Sequence, residues 1–220
     1  MGHPPGMSTF GSSGGTRGAA GRDSRTDGFL LVGVLVAIMW VSEVIDALAD
    51  HRLDRYGIVA RQVDGLDGIV FSPFLHGGFG HLIGNTVPFL LLGAVIAFNG
   101  AARVALVTLV VAGLGGLGTW LIAPENSVTI GASGVVMGYA TYLVARGVFS
   151  RRLVELVLGG VVAVLWGGMV LGSLIPREGV SWQAHLCGGL AGIVAARLLT
   201  KDRSDERDVR APRRSPVDAF

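Results

Sequence analysis

Six predominantly apolar stretches dominate this chain of 220 residues, at 29–49, 81–98, 104–122, 132–149, 153–175 and 182–199. A helix of roughly 20 apolar residues matches the hydrocarbon thickness of a bilayer. Half of all residues are apolar, 15% are charged and the mean hydropathy is +0.58, which lies outside the range of soluble domains. The pattern predicts an all-α membrane protein built as a bundle of six transmembrane helices in a lipid bilayer. The net charge of +2 and pI of about 9.1 do not point to nucleic acid, because the basic residues flank the apolar stretches, where they anchor helices and set orientation.

The segments outside the spans differ in character. Residues 1–28 are rich in Gly, Ser and charge, and are expected to form a disordered arm. No cleavable secretory signal is expected, and Pro4, Pro5 and Gly6 fit an N-myristoylation motif poorly. Residues 29–199 form the membrane domain, and 200–220, mixing Arg with Asp and Glu, form a second disordered tail. The stretch from Asp50 to Gly80 is too polar to span. It nevertheless carries Tyr56, Ile58, Val59, Leu66, Ile69, Val70, Phe71, Phe74 and Leu75, so a long, ordered, interfacial first loop is expected. The single cysteine, Cys187, excludes an intrachain disulfide and a zinc–thiolate site; it is expected to pack as a small apolar side chain.

Basic residues set the orientation. The N-terminal arm, Arg103, the Arg146–Arg152 connection and the tail fall on one side; the other receives only Arg52, Arg55, Arg61 and Arg177. Both termini should therefore be cytoplasmic, in a cell membrane. Spans two, four and six then all run from outside to inside. His81 begins span two, Ser133 begins span four and His185 lies one turn into span six. With Asn85, these groups converge on one shallow layer beneath the outer surface.

Polar side chains inside hydrocarbon mark functional sites by default. Ser133 sits in Gly131-Ala132-Ser133-Gly134, and a hydroxyl with an imidazole base is the minimum equipment for acyl transfer. Gly134 and Gly138 on span four, and Gly188 and Gly192 on span six, form small-xxx-small pairs that let helix backbones approach closely. That approach would bring Ser133 and His185 within hydrogen-bond reach. The acidic residues Glu43, Asp46, Asp50, Glu125, Glu155 and Glu178 all lie outside spans four and six, so a dyad is expected rather than a triad. His81 and Asn85, on one helical face, can donate to a developing oxyanion beside the Ser133 amide, or simply hydrogen-bond between helices. Glu43 and Asp46, three apart, can steady the first loop or lie exposed at headgroup level. Neither the His-Glu-x-x-His pattern of a metalloprotease nor a mid-membrane pair of aspartates is present, and no metal is expected. A transporter would carry polar groups along the depth of the bilayer, whereas these cluster near one face.

Taken in order, Gly131-x-Ser133-Gly134, His81-x-x-x-Asn85 and Ala184-His185-x-x-Gly188-x-x-x-Gly192 resemble the motifs of the rhomboid intramembrane serine proteases, over 29–199. The resemblance implies a six-span bundle with a half-submerged first loop, Ser133 as nucleophile and His185 as general base. It also implies an oxyanion hole of His81, Asn85 and the Ser133 amide, and a structural His76. No cofactor is implied. Substrates would be single-span membrane proteins, cut in or near the membrane and entering beside span five, which carries Trp166. A catalytically silent relative that binds membrane clients is the alternative, and an intact Ser133 and His185 argue against it. One departure concerns Met137, where many members carry a tyrosine that supports the histidine. Tyr139 lies about 200° further round the helix and cannot simply replace it. The arginine motif of the family's first loop is not clearly matched, with Arg52, Arg55 and Arg61 as candidates.

Overall fold

A computed structural model of the chain describes residues 17–210, with side chains over 24–200. Six long helices make up most of it: α1 (Arg17–Leu48), α3 (Phe79–Ala97), α4 (Ala101–Ile122), α5 (Ser133–Ser150), α6 (Leu153–Gly172) and α7 (Trp182–Arg210). A single turn, α2 (Gly68–Phe71), lies in the connection between α1 and α3. Four helices are long and apolar enough to cross a membrane: α1 from Ser24, α3, α4 and α6. The other two fall short of that measure because they are the polar centre of the bundle. Ten residues of α5 are buried, among them Tyr139, Tyr142 and Arg146. The outer helices instead turn large apolar side chains outward, such as Leu30, Leu109 and Val164, as a lipid-facing surface requires. The chain is thus a mostly helical, multi-pass membrane protein.

Several limits differ from the sequence-based ones. Helix α1 begins at Arg17, before Phe29, and α7 continues past Leu199 to Arg210; the charged turns at both ends extend helices whose apolar cores lie further in. The remainder of the expected disordered segments, 1–16 and 211–220, lies outside the described residues. Helix α6 stops at Gly172 rather than Ile175, with Ser173 as its C-cap, its amide bonded back to the Met169 carbonyl at 2.9 Å.

The connection of residues 49–78 is ordered by short pieces. Asp50 and His51 both take left-handed backbone angles and turn the chain back beneath α1. There Asp46 Oδ1 accepts from the Leu53 amide at 2.6 Å, so the loop-steadying role open to Asp46 is realised. Further on, β1 (Ile58–Val59) pairs antiparallel with β2 (Val128–Thr129), Ile58 opposite Thr129. This two-residue ladder ties the first connection to the segment that leads into Ser133.

At the other end of the bundle Arg146 is clamped. Its Nη2 donates to Glu155 Oε1 at 2.7 Å and to Asn99 Oδ1 at 2.9 Å, joining α5, α6 and the α3–α4 turn. Glycine decides the central contact. A Cβ on Gly188 would fall on the carbonyl of Gly134, and one on Gly192 on the carbonyl of Gly138. The two small-residue pairs read from the sequence therefore face each other, and α5 and α7 meet backbone to backbone. Thr141 Oγ1 reinforces the seam by donating to the Gly189 carbonyl at 2.7 Å. Cys187 packs against Gly118 of α4 in the same layer.

Candidate active site

Ser133 is the first residue of α5, so its amide has no acceptor within its own helix and points out of the helix end. The chain arrives through Gly131, whose φ of +111° lies in the region that favours glycine. Gly131 donates to the Ser72 carbonyl at 2.9 Å, and Ala132 donates its amide to His76 Nε2 at 3.3 Å. Segment 72–76 thus fixes the two residues before Ser133, which gives His76 the structural part expected of it.

His76 is 1% exposed, and burial, then the neighbouring His81, lowers its pKa to about 4. It stays neutral, as an acceptor for the Ala132 amide must. Because the unfolded chain binds that proton near the ordinary value of about 6.5, stability is full above that pH and falls as pH drops towards 4. Thermal unfolding in micelles should show this loss, and His76→Gln, which retains an acceptor but cannot titrate, should flatten it. An unchanged pH dependence in the variant would show that His76 is not the responsible group.

The imidazole of His185 meets Ser133 across the glycine seam. Ser181 caps α7, its Oγ accepting from the Ala184 amide at 3.3 Å, and this sets the first turn that carries His185. His185 Nε2 stands 2.9 Å from Ser133 Oγ, and its Nδ1 stands 3.1 Å from the carbonyl of Ser173. A carbonyl only accepts, so Nδ1 carries the proton and Nε2 presents a lone pair to the serine hydroxyl. His185 is 8% exposed, and among the described residues its ring nitrogens contact Ser133 Oγ and the Ser173 carbonyl.

Two donors face the same place. A Cβ on Gly131 would stand 2.7 Å from His81 Cε1 and 2.8 Å from Nε2, so the ring lies flush against the loop before Ser133. Gly77 donates to His81 Nδ1 at 3.4 Å, which leaves the proton on Nε2. Asn85 lies one turn further along α3. Its Nδ2 is buried without an acceptor in the protein and would stand 3.6 Å from the same Cβ. Ser133, His185, His81 and Asn85 all line one cavity of about 1070 Å³, to which residues 176–183 also contribute. That is ample for an extended peptide segment.

Met137 is buried at 3% exposure, and its sulfur packs 3.7 Å from Ser173 Oγ, whose proton goes to the Val170 carbonyl at 2.8 Å. It supports the residue whose carbonyl holds the imidazole. Tyr139 faces away from the site, its hydroxyl bonded to Thr108 and its ring tilted on Phe89. Sequence reading missed Ser173 and Ser72, since both act through backbone carbonyls that every residue possesses.

The Rhomboid domain profile matches residues 64–202, which takes in every group just described. The chain belongs to the rhomboid family. It is similar to an uncharacterized protein of Mycobacterium tuberculosis, 42% identical over 188 residues that cover 82% of this chain and 77% of that protein. An uncharacterized protein of Mycobacterium leprae is 40% identical, covering 84% of this chain and 75% of its own length. A rhomboid-like protein 11 from the chloroplast of Arabidopsis thaliana is 28% identical, covering 73% and 64% respectively.

Proposed function

We propose that this rhomboid is an intramembrane serine endopeptidase that cuts single-span membrane proteins through a Ser133–His185 dyad. The observation that carries the reading is the 2.9 Å contact between Ser133 Oγ and a His185 Nε2 already oriented as an acceptor. Ser133 Oγ attacks the scissile carbonyl while Nε2 takes its proton. The oxyanion is met by the Ser133 amide, the Nε2–H of His81 and the Asn85 side-chain amide. His185 then hands its proton to the departing amine, leaving an acyl-enzyme. Water from the cavity, activated by the same imidazole, releases the second product. No cofactor enters any step.

A helical substrate must unwind to react, because its carbonyls are committed to amides four residues on. Access beside α6 fits its loose attachment: only Gly159 and Val162 of this helix are buried. All six long helices span the bilayer in this reading, since even α5, with 18 residues, reaches about 27 Å. The basic-residue bias then puts both termini in the cytoplasm, with the site opening outward in the cell membrane and the first connection lying at the interface.

The test is covalent. A fluorophosphonate probe added to the full chain in micelles should label one peptide, at Ser133, and the same protein should cut a single-span reporter in membranes. Labelling elsewhere, or none with a protein shown to be folded, would favour a client-binding relative without chemistry.

A further inference from the structure

We propose that the C-terminal end of α1 and the turn after it bind one divalent transition-metal ion through Asp46, His51 and Asp54. One ligand atom from each of these three residues lies within 4.8 Å of those of the other two. Neighbouring donors on such an ion stand about 3–3.5 Å apart at ordinary bond lengths, so side-chain rotations of an ångström or so close the site.

The carboxylates themselves call for a cationic partner. Asp46 is 2% exposed; its Oδ1 is occupied by the Leu53 amide, and its Oδ2 has no hydrogen-bond donor. Oδ2 lies 3.4 Å from His51 Nδ1. Asp54 Oδ1 is likewise buried and unpartnered. Independently, Glu43 stands one turn earlier on the same helix face, 1% exposed, with the Gly78 amide beside its carboxylate but no side-chain partner among the described residues. Its charge acts on Asp46, His51 and Asp54 alike. Three buried or half-buried carboxylates therefore face a single imidazole, and buried charge persists only when it is paired or coordinates a metal.

The ligand set selects the ion. Mixed carboxylate and imidazole suit Zn²⁺ or Mn²⁺, whereas Ca²⁺ takes six to eight oxygens. His51, 52% exposed at its side chain, leaves a path from solvent. None of the three ligands lines the Ser133 cavity, so the ion is structural: it staples the first connection to α1, and it plays no part in the proposed acyl transfer.

The test uses the untagged full chain in micelles, stripped with chelator and dialysed against Zn²⁺, Mn²⁺, Ca²⁺ or Mg²⁺. Bound metal is counted by inductively coupled plasma mass spectrometry, and thermal unfolding is followed in parallel. One equivalent of Zn²⁺ or Mn²⁺ is expected, with a raised Tm, and neither with Ca²⁺ or Mg²⁺. His51→Ala and Asp54→Asn should each weaken binding at least tenfold while keeping the metal-free Tm of the parent. X-ray absorption on the zinc-loaded parent should show oxygen ligands and one imidazole, a readout that needs no variant to fold. Absence of a stoichiometric metal, binding unchanged in both variants, or a shell containing sulfur would overturn the site. So would stabilisation by mild acid with no response to metal, which would mean that protons hold these carboxylates.

Discussion

Alanine at Ser133 should lower reporter cleavage by at least about 10³-fold, and alanine at His185 should do so by a comparable factor. The reason is visible in the geometry. A serine hydroxyl is a weak nucleophile until a base takes its proton, and among the described residues the imidazole nitrogen bonded to Oγ is Nε2 of His185, at 2.9 Å. The two groups act as one unit, so the double variant should be no slower than either single one. Asn85→Ala should retain the dyad yet lose about 10²–10³-fold, the usual worth of one oxyanion donor. Ser133 is small and sits at a helix start, so Ser133→Ala should unfold like the parent. Cleavage rates on a membrane-embedded reporter, measured beside unfolding curves, separate these outcomes. Additive losses in the double variant would show that the serine and the histidine serve different steps.

The second large effect concerns the seam rather than the chemistry. Gly188→Val should prevent α5 and α7 from docking, and even Gly188→Ala should destabilise the fold by about 3 kcal/mol or more. The added Cβ lands on the Gly134 carbonyl, with the Gly134 carbonyl carbon at 2.7 Å and its Cα at 3.0 Å. Backbone stands on both sides, so no rotamer can relieve the contact and one helix must shift. Such a shift would also separate Ser133 from His185, and activity should fall with stability. Gly160→Ala on α6 supplies the contrast, because a Cβ there meets nothing within 4 Å; it should be neutral or gain about 0.5–1 kcal/mol from helix propensity. Equilibrium unfolding in mixed micelles would rank the three. Parent-like stability of Gly188→Ala would mean that the helices are not in backbone contact at this point.

Much of this was legible in the chain because the relevant signals are steric or chemical properties of side chains. The Gly134/Gly138 and Gly188/Gly192 pairs announce a close crossing whatever surrounds them, and Ser133 with His185 announces its chemistry by residue type. Helix α5 shows the limit of hydropathy. Its tyrosines, Thr141 and Arg146 depress its apolar character because it is the helix most enclosed by protein, so the pattern that finds lipid-facing helices fits it least. The ladder between β1 and β2 escaped notice because two paired residues on each side carry no periodicity. The Ser173 carbonyl left no trace at all, since the hydrogen bond depends on where α6 stops and not on which side chain stands there.

That last contact gives the molecule an order of events. The acceptor that orients His185 hangs from the end of α6, and α6 is also the long helix held by the fewest buried residues. Swinging that end aside to admit a guest would draw the Ser173 carbonyl away from the ring and free the imidazole to turn. If substrates enter beside α6, as proposed, the doorway and the support of the imidazole are the same part of the fold. In that reading the dyad loses the acceptor that orients it while the helix is displaced and regains it when the helix returns.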